Sequence, residues 1–356
     1  MLNEKRISEQ KNIKEAGLSL VELMVSITVF LIFISAVYGV LRLGGIQKST
    51  INSQTEVIKN LRVSLNTIGR DAMNAGLGYS RVGGNVPDNL SNARMGLTAD
   101  GDASHDLLTA IISGNNVNSN NSLPSTLKTD VISFAYRDMT FNNGAPIELI
   151  NSATYGSNGV TISTANNAAA NAKPYDLYII SDGTRTSVAL ATSIPDSNTL
   201  RFETGDPLGI NMLYSGSTDT RSKLISCTSF SSECMDYTNR VTAKKVFWVS
   251  YSLMADGTLI RTTFGNNTNA AATAQIQTQA IAYNIQNMQI KYLLTDGTVT
   301  EDPSNNGVNQ TQLNSVVQIE VIISAKVQVK EGGVNIDKVV DLSSTFSTRN
   351  LAYDID

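Results

Sequence analysis

"GLSLVELMVSITVFLIFISAVYGVLRLGG", residues 17–45, decides how the rest of the chain is read. From Leu23 to Leu41 it carries no charge, and Arg42 closes the run. Coiled as an α-helix at about 1.5 Å per residue, the run spans about 28 Å, close to the roughly 30 Å hydrocarbon layer of a bilayer. One acid, Glu22, stands at its start. An ionised side chain in hydrocarbon costs about 3 kcal/mol even on lenient scales, so it needs a partner or a function. Lys5, Arg6, Lys11 and Lys14 precede the run, and the positive-inside rule keeps that end in the cytoplasm. A cleavable secretory signal has the same order, but this run exceeds the usual h-region and "ISAVYGVLRLGG" offers no A-x-A-like site at its end. The small residue followed by an apolar one lies ahead of the run, at Gly17 and Leu18.

Composition narrows the remainder. The 356 residues are enough for one large or two ordinary domains. Hydrophobic residues make up 41% and charged residues 16%, which excludes a disordered polyelectrolyte and a multi-span membrane protein. Lys+Arg number 27 against 31 Asp+Glu, so the chain has no basic footprint for nucleic acid. Two cysteines, Cys227 and Cys234, sit close together in "CTSFSSEC". Their spacing among polar residues points to a disulfide across a short loop and an oxidising compartment, with two buried free thiols as the alternative. Such a loop contributes about 2–3 kcal/mol on the chain-entropy model. With a single histidine, His105, they are a poor supply for a zinc site or a Cys/His hydrolase.

Beyond the apolar run, Ile51, Ile58, Leu65 and Ala72 recur at steps of seven, with Leu61, Ile68 and Ala75 offset by three. This stripe predicts an amphipathic helix packed on the chain's own sheet, a coiled-coil partner being the alternative. Gly39, Gly44 and Gly45 are expected to loosen the helix near the membrane exit, and Gly76 and Gly78 to end it. From residue 80 the composition shifts to Asn, Ser, Thr and Gly around short strand-like runs at 130–138, 175–183, 187–194, 198–204, 245–264, 284–299, 315–329 and 339–350. Asp182-Gly183, Asp256-Gly257 and Asp296-Gly297 predict tight hairpins. The expected fold class is α+β: a long amino-terminal helix, half membrane-spanning and half amphipathic, packed on an antiparallel β-sheet body. The Asn-rich stretches "SGNNVNSNNS" and "TANNAAANA" read as solvated loops or insertions.

"G-L-S-L-V-E" followed by the apolar run resembles the class III signal of type IV prepilins and type II secretion pseudopilins. The resemblance implies a leader over residues 1–17, cut after Gly17 by a prepilin peptidase, and N-methylation of Leu18, which stands where the family usually has Phe. It also implies a filament-core helix over 18–41, an amphipathic helix over 42–78 and an extracytoplasmic body over 79–356. Glu22 becomes the fifth mature residue, its charge met by the amino terminus of a neighbouring subunit, so that it sets the axial register of assembly. "RVSLNTIGRDAMNAGLGYS", residues 62–80, resembles PilW-type minor pilins and J-type pseudopilins through Arg70, Asp71, Ala75, Gly76 and Tyr79, with Asn74 in place of the usual basic residue. "YSLMADGTLIR", "NIQNMQIKY" and the final strand pair ending in "STRN" are similar to the carboxy-terminal half of the same families. Residues 81–243 match no pattern and form a variable middle region.

The resemblance implies a minor pilin, or a J-like pseudopilin. Its partners would be prepilin peptidase, other minor pilins, the major pilin, an inner-membrane assembly platform and the bilayer. It would reside in the inner membrane, single-pass with a cytoplasmic amino terminus and periplasmic body, and then in the pilus. A signal-anchored periplasmic enzyme or binding protein is the rival from another class. No cofactor, metal or catalytic group is expected. "ADGDASHD" places Asp100, Asp102 and Asp106 at positions 1, 3 and 7 of a calcium loop, but His105 and Ile111 stand where Gly and Glu belong, so it reads as a polar turn. "GLGYSRVGG" follows a helix, the wrong context for a phosphate loop, and Trp248 and Tyr251 are expected to pack in the sheet.

Overall fold

The computed structural model describes residues 19–101, 106–156, 158–183, 185–211, 241–268, 270–331 and 334–348. Gly17, Leu18, Asp102, His105, Cys227 and Cys234 lie outside the described residues, and with them the expectations of cleavage, methylation and a disulfide.

The apolar run and the amphipathic stripe form one 55-residue helix, α1 (Leu20–Asn74). It is unbroken at Gly39, Gly44 and Gly45, where loosening was expected. Each glycine lowers helix propensity by about 1 kcal/mol relative to alanine, too little to interrupt a ladder that propagates cooperatively from both sides. Up to Leu43 the helix stands clear of the body with its apolar side chains exposed. Farther on, Leu61, Leu65, Ile68, Ala72 and the following Ala75 are buried, so the stripe packs on the chain's own sheets as its spacing predicts. Ile51, at the same spacing, remains exposed. Gly76 (φ 78°) and Gly78 (φ 58°) take the left-handed backbone that ends the helix. The chain leaving it is stitched to the sheet, Gly76 N–H donating to Ala135 O (3.0 Å) and Arg137 N–H to Leu77 O (2.9 Å).

The body begins with β1 (Gly84–Val86), a short helix α2 (Leu90–Met95), β2 (Asp106–Leu108), β3 (Ile111–Ser119) and β4 (Lys128–Arg137). It continues through β5 (Ile147–Gly156), β6 (Gly159–Thr164), β7 (Leu177–Ser181), β8 (Thr186–Leu190), β9 (Ser193–Asp196) and β10 (Thr199–Glu203). The carboxy-terminal part holds β11 (Val241–Leu253), β12 (Leu259–Phe264), β13 (Ile276–Ala282), β14 (Ile285–Leu294), β15 (Val299–Thr300), β16 (Val316–Glu331) and β17 (Val334–Ser347). Among the described residues these form two sheets. Pairing is antiparallel throughout except between β1 and β8. All three Asp-Gly pairs fall in turns between antiparallel partners, with glycine φ of 88°, 85° and 85° at Gly183, Gly257 and Gly297.

β11 organises the larger sheet. Its first residues pair with β5 and β7, and from Val246 onward it pairs with β4 and β12. Tyr251 reaches α1 at Thr67 and Asp71, while the turn after β11, at Asp256 and Gly257, shares a groove with Ser53–Asn60. The strand therefore runs antiparallel to the helix. Val241 lies ten residues before Tyr251, about 33 Å at strand rise. That carries β5–β10 beyond the end of α1, where they enclose a second core of Ile147, Ile162, Tyr178, Ile180, Leu200 and Phe202. The main core lies between α1 and the lower strands.

Buried aspartates sit at the junctions. Where β11 changes partners, Lys245 Nζ meets Asp176 Oδ1 at 2.7 Å, and Lys173 N–H donates to Asp176 Oδ2 (2.9 Å). Between the sheets, Asp130 on β4 accepts N–H bonds from Ile290 (2.7 Å) on β14 and Asn116 (2.9 Å). The same bond accounts for a departure from the sequence reading: "SGNNVNS" is not a solvated loop but lies within β3. Its bulge between Gly114 and Asn118 places Asn116 at φ 54° and turns its amide onto Asp130. The run at 187–194 is divided at Ala191 between β8 and β9.

Gly69 on α1 faces Phe346 of the last strand. A Cβ there would fall 2.1 Å from Cε1 of Phe346. Gly69→Ala is expected to destabilise the protein by about 1–2 kcal/mol despite its better helix propensity, because the Phe346 ring must move. Adding Phe346→Leu should recover part of the loss. Urea unfolding in detergent, followed by Trp248 fluorescence, checks both.

Candidate assembly site and its support

α1 opens with a capping box. Ser19 Oγ accepts the N–H of Val21 (3.4 Å), and Oε2 of Glu22 accepts the N–H of Ser19 (3.0 Å). The carboxylate thus lies in the first turn, where unpaired N–H groups and the helix dipole favour negative charge by about 0.3–1 kcal/mol. This explains how the acid is tolerated in a lone subunit. The serine and threonine hydroxyls of the span are internally satisfied: Ser26, Thr28 and Ser35 donate to Glu22 O (2.7 Å), Met24 O (2.8 Å) and Ile32 O (2.8 Å). Apart from the exposed Tyr38 near its outer end, the span then offers apolar surface to lipid or to other helices.

The support for this lever is a buried clasp near its far end. Asp71, almost fully buried on α1, receives Arg261 Nε at 2.8 Å and the Tyr251 hydroxyl at 2.5 Å on Oδ2, and the Tyr136 hydroxyl at 3.0 Å on Oδ1. The donors come from β12, β11 and β4. Burial works against the Arg261 charge, yet the hydrogen bond and charge of Asp71 outweigh it and hold the guanidinium above its ordinary range. Burial, then the Asp71 charge, push both phenols up, so they remain donors. Asp71 belongs to the "RDAMNAG" stretch and Tyr251 and Arg261 to "YSLMADGTLIR"; the fold brings these two segments into one network. Tyr79, from the first segment, donates its hydroxyl to Leu108 O (2.8 Å). Trp248 packs as expected, its ring 4.1 Å from that of Phe264 and its Nε1 donating to Ser133 Oγ (3.3 Å).

Of the acids in the rejected calcium loop, Asp100 and Asp106 do come together, with Asp88, their carboxylate oxygens within 4.8 Å of one another. Sequence spacing missed Asp88 because it arrives from the far side of α2. Asp106 is pushed up to about 7, by burial first and then by the charges of Asp100 and Asp88.

Residues 12–38 match the family described as the prokaryotic N-terminal methylation motif. No curated protein matches the chain. The motif and the free apolar helix behind it support a type IV pilin-like protein, pilin or pseudopilin, which implies processing by prepilin peptidase and assembly with other pilins. Both features fit anchoring in the inner membrane.

Two measurements test the supporting chemistry. Arg261→Met leaves Asp71 buried without its cation and is expected to cost about 2–4 kcal/mol; Asp71→Leu combined with Arg261→Met should cost less than the sum of the two single changes by at least about 1 kcal/mol. Urea titration of the four proteins measures that coupling. For Asp106 the sign follows from a folded-state value of about 7 against 3.8 unfolded. A carboxyl that holds its proton more tightly when folded contributes stability that is complete below the unfolded value and lost as pH rises through the folded one. Asp106→Asn is therefore expected to be more stable than the parent at pH ~8, by about 1 kcal/mol, and less dependent on pH between about 4 and 7. Parallel unfolding series at acidic and basic pH check it.

Proposed function

We propose that the chain is a minor pilin of the PilW type, cut after Gly17, N-methylated on Leu18, held in the inner membrane by residues 18–41 and then drawn into a type IV pilus. It works stoichiometrically, priming assembly with other minor pilins ahead of the major pilin, and is not an enzyme. One observation carries the reading. Glu22 sits in the first turn of a helix whose apolar surface its own body leaves bare, so the acid and that surface are both presented for assembly. A charge in low dielectric is stable only when paired, and pairing with the amino terminus of the next subunit fixes one helix axially against another. The motif at 12–38 supports the processing step, and the clasp that unites "RDAMNAG" with "YSLMADGTLIR" supports the PilW-like assignment. A disulfide between Cys227 and Cys234 belongs to the same reading, as does a periplasmic body.

Glu22→Val separates processing from assembly. Cleavage is expected to persist, while incorporation into filaments falls about tenfold or more, the effect of losing about 1.4 kcal/mol per contact. Immunoblots of membrane and sheared-pilus fractions measure both, and undiminished incorporation refutes the pairing role. Mass spectrometry of the membrane-extracted parent should find a methylated Leu18 at the amino terminus. An intact Met1 in cells with active prepilin peptidase overturns the reading.

A further inference from the structure

Past the end of α1 the body holds a cleft of about 680 Å³, within the roughly 300–1,000 Å³ of small-ligand sites. One wall is sheet. In β7, β8 and β11 the side chains of Tyr178, Ile180, Ala189, Val241 and Ala243 fill the second core, so the residues between them face the opposite way. Toward the main core that opposite face is apolar, through Leu177, Ile179, Val188 and Val246. Farther out it changes character. Ser181 pairs directly with Thr186 on one side and with Thr242 on the other, which sets three hydroxyls in a row across three strands, about 4.8 Å apart. Lys244 pairs with Ile179 beside that row.

Polar groups on a free sheet face meet bulk water, but this face has a second wall opposite it. Residues 79–82, which leave α1, and the helical turn Gln310–Ser315 ahead of β16 form that wall. Arg81 stands in it, exposed, so Arg81 and Lys244 bring two cations to the cleft, and its described lining holds no carboxylate in a chain of net charge -4. Asn314 adds an acceptor, its Oδ1 buried with no partner among the described residues. Buried polar atoms are nearly always paired, and a turn of this amide toward the cleft would give it a ligand donor. The lining selects by chemistry. Hydroxyls both donate and accept, which suits a ligand rich in hydroxyls of its own. The guanidinium and the ammonium call for an anion, and the guanidinium can give a carboxylate or sulfate two parallel N–H bonds. An acidic peptide supplies the anion but few hydroxyls to answer the row.

We propose that this cleft binds an acidic saccharide, its carboxylate or sulfate group at Arg81 and Lys244 and its hydroxyls along Thr186, Ser181 and Thr242. The cleft is remote from the amino-terminal half of α1, so the proposal stands or falls independently of the assembly role of Glu22. Isothermal titration of the full chain in detergent tests it with trigalacturonate and a heparin-derived tetrasaccharide as acidic saccharides, maltotriose as the neutral one and hexaglutamate as the acidic peptide. Arg81→Gln removes one cation from an exposed position, and Thr242→Val removes one hydroxyl at nearly constant shape. Trp248, buried in the body, reports by its emission that both variants are folded. At least one acidic saccharide is expected to bind, about tenfold more weakly in Arg81→Gln and about threefold more weakly in Thr242→Val, with affinity falling as salt is added. Maltotriose is expected to bind at least about tenfold more weakly than that saccharide, for want of the charged contact. Failure of both acidic saccharides to bind overturns the proposal, as does binding that either variant leaves unchanged. Hexaglutamate binding as tightly as the better saccharide overturns it in favour of an acidic protein segment.

Discussion

The carboxylate of Asp71 is the point on which the structure turns. α1 has to be a free apolar rod at one end and a packed element at the other, and only the packed half holds it to the body. An apolar stripe alone fixes a helix poorly along its axis, since Leu61, Leu65, Ile68 and Ala72 would find similar neighbours one turn away. A buried acid reached by three directional donors from three strands does not allow that slip. Desolvating the charge costs several kcal/mol, and the arrangement is stable because the guanidinium and two phenols meet it together. Any force on the amino-terminal half of the helix is transmitted to the sheets at this level.

The same solution recurs where packing alone is thin. Asp176 lies at the handover of β11 between its two sets of partners, and Asp130 between the two sheets. Each accepts at least one backbone N–H that the local ladder leaves unused, so the carboxylate acts as a substitute for sheet continuity. That explains why a chain of low overall charge buries several acids. Among the described residues Asp130 and Asp106 have no cation beside them, and they are raised to about 6 and about 7, with burial the leading cause. Asp71 and Asp176 have one each.

Legibility in the sequence followed the range of the interaction. The span, the stripe from Ile58 to Ala75 and the three Asp-Gly turns are local patterns of period or type, and the structure has them where they were read. The strands β1, β2 and β3 lack the alternation of β-branched and polar residues that marks an amphipathic strand, whereas β6 has it, Val160 and Ile162 alternating with Thr161 and Ser163, over too short a run between Asn-rich stretches to stand out; "SGNNVNS" becomes a strand because Asp130, Asn306 and Ser304 take its polar groups. The clasp was half visible. Asp71 and the Tyr251–Arg261 stretch each drew notice, but they lie 180 or more residues apart and no pattern in one predicts contact with the other. Asp88 was missed at shorter range, because the helix α2 lies between it and the two acids it joins. Continuity of α1 through its glycines was hidden by giving propensity more weight than cooperativity.

Glu22 and Asp71 lie on one helix, 49 residues apart by their numbering, and their surroundings divide their work. A carboxylate has about four acceptor sites. Three of those of Asp71 are met by side chains of its own body and burial closes off the fourth, so it has nothing further to offer a partner and its whole effect is internal. Among the described residues Glu22 accepts one N–H, from Ser19, and is otherwise open. The first turn of the helix offers it an N–H without using up its capacity, and the exposed surface that follows it, Leu23, Met24, Val25 and Ile27, is apolar. Such a group is stable enough to wait in an isolated subunit, and gains most when a cation arrives in the same apolar surroundings. Saturation of one acid holds the subunit together, and the unsaturated state of the other gives assembly its driving contact.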